Sequence, residues 1–143
     1  MVTPATRAVV SVRFPFSDLS RTKLRPAVIL AAVGRDDWIL CQVTSKPYGD
    51  ARAIVLTEES FATGSLRVTS YARPGKLFTA NQELMRDQVG TLKEEAFKQI
   101  IEAIVVRIND ESGEDYLYHK SHFVFVDFPS AVKRKLLALE SAA

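Results

Sequence analysis

Five short runs rich in β-branched, aromatic and other apolar residues, at 9–16, 27–31, 38–44, 53–56 and 66–71, follow one another with turn signals between them. A sixth resumes at 76–79, after the Arg73-Pro74-Gly75 turn. Their connections are too short for helical crossovers, so the pairing is antiparallel and the fold is a small barrel or sandwich. One helix follows. Ala96, Phe97, Ile100, Ile101, Ile104, Val105 and Ile108 recur at helical spacing, giving a broad apolar face that packs on the sheet. Thr91 and Glu94 fit a capping box at its start, and the Asn, Ser and Gly of residues 109–115 end it. Residues 60–62 read as a short extra helical turn.

The chain of 143 residues suits one domain with a substantial core. No apolar run approaches the ~20 residues that span a bilayer. The N-terminal MVTPATRAVV lacks a secretory pattern, and the single Cys41 cannot form an internal disulfide. These features imply a reducing cytoplasm and no membrane. Charge is uneven: residues 1–108 hold 15 Lys and Arg against 11 Asp and Glu, whereas residues 109–143 hold 4 against 6. The organisation that follows is a domain at 1–109 and an extension at 110–143. The extension reads as a strand at 123–128 and an amphipathic helix at 129–139. Its aromatic residues Tyr116, Tyr118, Phe123, Phe125 and Phe128 argue against disorder. It either packs back on the domain or meets a partner.

Most catalytic chemistries lack their residues. His119 and His122 lie in the extension, no His–Cys cluster has zinc spacing, and neither a P-loop nor a dinucleotide fingerprint is present. No cofactor is implied. What remains is a set of cations and hydroxyls at strand ends. Within RFPFSDLSRTKLRPAVIL, a basic loop at 17–24 ends at Arg25-Pro26. Proline has no N–H for a ladder, so Pro26 marks the first position of the next strand and holds Arg25 at its mouth. A guanidinium fixed in this way grips an anion such as phosphate. Thr44-Ser45 closes the third run, and antiparallel neighbours bring the start of one strand beside the end of the next. Arg25 and Thr44 therefore meet at one rim, although Thr44-Ser45 also reads as a simple turn cap.

The pieces VVSVRFPFSDLS, LRPAVIL, ILCQVTSK and SYARPGKLFT, with the helix after them, resemble in order and spacing the MazF/PemK family of toxin endoribonucleases over about residues 8–108. The resemblance implies a mainly β fold, a small SH3-like antiparallel barrel with a C-terminal helix, here followed by the strand and helix of the extension. It implies a homodimer that cuts single-stranded RNA at short sequences without a metal. The substrate's own 2′-hydroxyl attacks, leaving a 2′,3′-cyclic phosphate and a 5′-hydroxyl. Arg25 falls on the family's catalytic arginine and Thr44 on its catalytic threonine. Phe16, Arg21, Lys23, Ser45, Arg73 and Lys76 are then RNA-binding residues, with Phe16 stacking on a base and the cations following phosphates. The partner is a cognate antitoxin, acidic and partly disordered because it imitates a polyanion. This chain differs from many members at Thr6-Arg7-Ala8, where they have Gly and an acidic residue. It has Ser20-Arg21-Thr22-Lys23 where their loop carries Gly, and Lys76 where they have arginine. The alternative is a non-catalytic SH3-like module that binds nucleic acid or protein, or a toxin directed at gyrase, because related folds serve several functions.

Overall fold

The apolar run at 27–31 is buried at every position, which a strand achieves only when both faces of its sheet are covered. The computed structural model describes residues 2–15, 22–46, 50–113 and 138. Seven strands lie among them: β1 (Ala8–Pro15), β2 (Thr22–Gly34), β3 (Asp37–Thr44), β4 (Ile54–Leu56), β5 (Phe61–Gly64), β6 (Ser70–Asn81) and β7 (Met85–Leu92), followed by one helix, α1 (Glu94–Gly113). They form one sheet in the order β4-β6-β3-β2-β1-β7-β5. Every pairing is antiparallel. The sheet curls into a half-barrel with α1 packed on one side, as the SH3-like barrel expectation requires.

Strand alternation divides the core in two. Val9, Val28, Leu30, Ile39, Cys41, Val43 and Leu77 face α1 and pack with its Ala96, Phe97, Ile100, Ile101, Ile104 and Val105. Val10, Val12, Ala27, Ile29, Leu40, Ala80 and Met85 form the cluster on the other face. Ile100, Ile101 and Ile104 are almost wholly buried, and each contributes roughly 1.5–3 kcal/mol through removal from water. The β2–β3 hairpin turns at Arg35 and Asp36, whose φ angles of 53° and 66° suit a two-residue turn matched to strand twist. Asn81 Nδ2 steadies it by donating to Asp37 Oδ1 at 3.0 Å.

Several local expectations change. β2 begins at Thr22, before Pro26, because it pairs with β1 as far as Pro15↔Thr22. Its ladder to β3 starts only at Ala27↔Gln42. Residues 22–26 are thus an edge on the β3 side, where proline is tolerated, and Arg25 lies inside a strand rather than at its mouth. β6 runs through Arg73-Pro74-Gly75 instead of ending there. Cys41 pairs with Leu77 and Val43 with Ala72, so residues 73–76 bulge opposite Gln42 alone. Residues 65–69, expected at the start of a strand from 66, precede β6.

Residues 60–62 divide between two elements. Glu58–Ser60 is one turn of 3₁₀ helix, closed by Thr57 N–H donating to Ser60 Oγ at 3.0 Å, and Phe61 opens β5. β7 was not apparent in the sequence: Arg86, Asp87 and Gln88 are all exposed, and two register shifts against β1 break the alternation. Thr91 is not a helix cap, because it pairs with Ala8 inside β7. The helix enters from Lys93, whose carbonyl accepts from Phe97 N–H at 3.1 Å, and Glu94 and Glu95 occupy its first turn. α1 continues through 109–110 to Gly113. Phe16, Arg21, the rest of the 17–21 loop and the strand and helix at 123–139, apart from Ala138, lie outside the described residues.

Candidate functional site

The half-barrel face turned away from α1 carries the cations. Lys23 and Arg25 share strand parity with Ala27 and Ile29 of the second cluster, and Gln42 and Thr44 share it with Leu40. Tyr71 and Arg73 flank the opposite parity of Ala72, while Lys76 shares parity with Phe78 and Ala80. The register aligns them across strands. Arg25 is opposite Val12 on β1, and Thr44 is opposite Tyr71 on β6. The β2–β3 ladder ends at Ala27↔Gln42, and Arg25 and Thr44 each lie two residues beyond that end on their strands. Val12 with Arg25 and Thr44 with Tyr71 are thus two pairs on either side of the ladder's end, and Ala27, Gln42 and the 73–76 bulge form the row beside them.

Arg25 is half-buried, with its strand fixing the backbone on the β1 side. Thr44 is 7% exposed, and its Oγ1 accepts from Lys46 N–H at 3.1 Å. It therefore closes the turn after β3, yet the same hydroxyl keeps a proton to donate. Lys23 is exposed two residues before Arg25, and Ser45 is exposed one residue past β3. Arg73 Nε meets Asp50 Oδ2 at 3.4 Å. Asp50 Oδ1 also accepts from Arg52 N–H at 3.0 Å, so one carboxylate both closes its own turn and steadies Arg73. Burial lowers the pKa of the Lys76 ammonium, and the Arg73 cation beside it lowers it further.

Two members of this face were not recognised from sequence. Asp50 reads as an ordinary turn residue, and its pairing with Arg73 across 23 positions has no local signal. Gln42 reads as one polar residue in an apolar strand; among the described residues its buried Oε1 finds no hydrogen-bond partner. Arg25, Thr44, Lys23, Arg73 and Lys76 share the face, Ser45 stands at its margin, and Phe16 and Arg21 fall outside the described residues.

Cys41 anchors the bulge from beneath. Its thiol donates to the Arg73 carbonyl at 3.2 Å. Burial pushes its pKa from 9.0 up to about 12, against a smaller opposing pull from that hydrogen bond. The unfolded chain releases this proton at lower pH than the native chain, so stability falls as pH rises between the two values. Urea unfolding at about pH 8 and about pH 10.5 should show an alkaline loss that Cys41→Ala lacks, approaching ~1.4 kcal/mol per pH unit. Equal alkaline losses in both proteins would contradict the assignment.

Solved structures share this half-barrel. The chain is similar to the MazE–MazF complex of Deinococcus radiodurans (form II), with a TM-score of 0.61, 14% identity and coverage of 76% of this chain and 98% of that one. It is also similar to Mycobacterium tuberculosis toxin MazF-mt6, with a TM-score of 0.57, 18% identity and coverage of 72% and 97%. An endoribonuclease in complex with its cognate antitoxin, from a mycobacterial species, gives a TM-score of 0.56 at 13% identity, covering 76% and 96%. At these identities the likeness establishes the fold. No curated protein matches the sequence. The profile of the PemK-like, MazF-like toxins of type II toxin–antitoxin systems matches residues 6–107, and the chain belongs to this family. Among the described residues no helix is long and apolar enough to cross a membrane.

Proposed function

We propose that the chain is a cytoplasmic endoribonuclease toxin whose Arg25 and Thr44 together cut single-stranded RNA without a metal. The attacking group is the 2′-hydroxyl of the substrate, so the protein needs no nucleophile of its own. As O2′ approaches phosphorus, negative charge grows on the nonbridging oxygens. Arg25 stabilises that charge where it develops, and the Thr44 hydroxyl donates to one of the same oxygens. A 2′,3′-cyclic phosphate and a 5′-hydroxyl result. Lys23, Arg73 and Lys76 follow the backbone, Ser45 meets it at the margin, and Phe16 and Arg21 extend the contact. An acidic, partly disordered antitoxin competes for this face, two copies of the toxin form the working dimer, and residues 110–143 are an extension beyond the 1–109 toxin domain.

The observation that supports the reading is that Arg25 and Thr44 each lie two residues beyond the Ala27↔Gln42 end of the β2–β3 ladder, on strands whose parity turns both toward the cationic sheet face. That placement offers a guanidinium and a hydroxyl to one target. The test incubates the purified, antitoxin-free protein with a long single-stranded RNA in EDTA. Discrete fragments ending in 2′,3′-cyclic phosphate are expected. Intact RNA from a folded dimer would overturn the reading and leave a binding module.

A further inference from the structure

Among the described residues, Gln42 Oε1 is the side-chain polar atom that is buried without a hydrogen-bond partner. A buried acceptor with no donor destabilises the fold that carries it. On a face that receives a ligand, such an atom marks the place where a donor of the ligand arrives. The sheet fixes where that place is. Gln42 pairs with Ala27 of β2, the last rung of the β2–β3 ladder. On its other side Cys41 meets Leu77 and Val43 meets Ala72, so residues 73–76 of β6 bulge opposite Gln42 alone.

Its neighbours Cys41 and Val43 pack in the cluster beneath α1. Gln42 therefore turns to the opposite face, between the Ala27 methyl and the bulge that carries Arg73 and Lys76. Thr44 follows two residues on along the same strand and face, about 7 Å away at the rise of a strand. Gln42 as a whole is only partly buried, and its oxygen makes no hydrogen bond. Turning the amide to bring that oxygen to the surface therefore breaks no bond. We propose that Gln42 reads the nucleobase beside the scissile phosphate, selecting an edge with an amino group next to an unprotonated ring nitrogen, as in adenine and cytosine. The amide oxygen accepts from the amino group, and the amide N–H donates to the ring nitrogen. This role deepens the RNA-cleaving function and rests on it.

The surroundings give the choice its direction. Arg73 and Lys76 in the adjoining bulge are donors only. They suit phosphate and keto oxygens and oppose an amino group. The Gln42 oxygen supplies the acceptor that an amino group requires. Selection follows because a base without that group leaves the oxygen unpaired. Single-stranded RNA offers its base edges to contacts of this kind, and a glutamine amide matches the adenine edge in a bidentate pair. One nucleotide then sets its phosphate at Thr44 and its base at Gln42.

The test begins by sequencing the fragment ends that the wild type produces from a randomised RNA. Adenine or cytosine should be enriched at one position beside the cleaved bond. Short synthetic RNAs then carry, at that position, the base or its analogue without the amino group: purine for adenine, pyrimidin-2-one for cytosine. The analogue that matters should slow wild-type cleavage about 5- to 150-fold, and the two arms separate adenine from cytosine. Gln42→Met and Gln42→Leu should cut base and analogue at equal rates. Their urea midpoints should match or exceed that of the wild type, because an apolar side chain leaves no oxygen unpaired. A folded variant that keeps the wild-type preference would overturn the role of Gln42 and leave the endoribonuclease intact. Wild-type cut sites with no preference, or flanked by keto bases alone, would do the same. Wild-type protein that cuts no RNA would overturn both. NMR of the wild type bound to an RNA with a 2′-deoxy sugar at the cut site gives a readout that needs no variant. The Gln42 side-chain amide should shift on binding, whereas that of Gln88, which donates to Thr91 Oγ1, should not. An unmoved Gln42 signal in that complex would also overturn the proposal.

Discussion

Arg25→Ala will slow RNA cleavage about a thousandfold, the upper range for losing one preorganised donor from a transition state, and will leave the half-barrel folded. Arg25 belongs to neither apolar cluster, and its strand is fixed by backbone pairing to β1. Its loss therefore removes charge from the face without opening the core. Arg25→Lys tests the geometry. It keeps the charge but loses the planar fork that holds two oxygens at once, so its rate should fall between those of the wild type and the alanine variant. Initial rates on a short synthetic RNA, with thermal unfolding as the control for structure, give the comparison. Wild-type cutting by a folded Arg25→Ala protein would refute its assigned role.

The largest stability effects should come from two glycines. Gly64 and Gly90 are register partners where β5 meets β7. A Cβ on Gly64 would collide with the Val89 carbonyl oxygen and stand 2.6 Å from Gly90 Cα. A Cβ on Gly90 would collide with the Thr63 carbonyl oxygen and stand 2.9 Å from Phe61 Cδ2. The principal obstacles are backbone atoms, so neither strand can yield without separating. Gly64 also has φ +70, which adds a left-handed cost to any other residue. Gly64→Ala and Gly90→Ala should each cost about 3 kcal/mol or more, seen as earlier urea midpoints. Gly34→Ala is the contrast: φ there is +100 but nothing lies within 4 Å, so only the dihedral cost remains. A loss at Gly34 equal to that at Gly64, with none at Gly90, would show that backbone dihedral, not close approach, sets the requirement.

How much of this architecture can be read directly depends on whether local pattern and tertiary pairing agree. They agree at 38–44, where Ile39, Leu40, Cys41 and Val43 are buried on alternate faces of the strand, and at Ala96–Val105, where helical spacing matches the buried stripe. They disagree in β7. Its Met85-Arg86-Asp87-Gln88 segment looks like a loop, and long-range pairing with β1 makes it a strand. They disagree again at Thr91, where that pairing outweighs the local capping signal, and at Pro74-Gly75, where a bulge absorbs residues that normally end a strand. The expected meeting of Arg25 and Thr44 extends antiparallel hairpin geometry two residues past the end of the ladder at Ala27↔Gln42. The link from Arg73 to Asp50 does not, because it depends on how the segment after β3 folds back over β6.

The pairing of β1 with β7 also bears on how such a chain is made. Ala8 finds Thr91 only after nearly the whole domain has been synthesised, and α1, which covers the sheet, follows later still. A nascent chain still missing β7 and α1 has Arg25 and Thr44 in place in sequence but lacks the strand and helix that complete their scaffold. Since domains generally fold as units during translation, the half-barrel of a toxin built this way stays unassembled until β7 and α1 have been made.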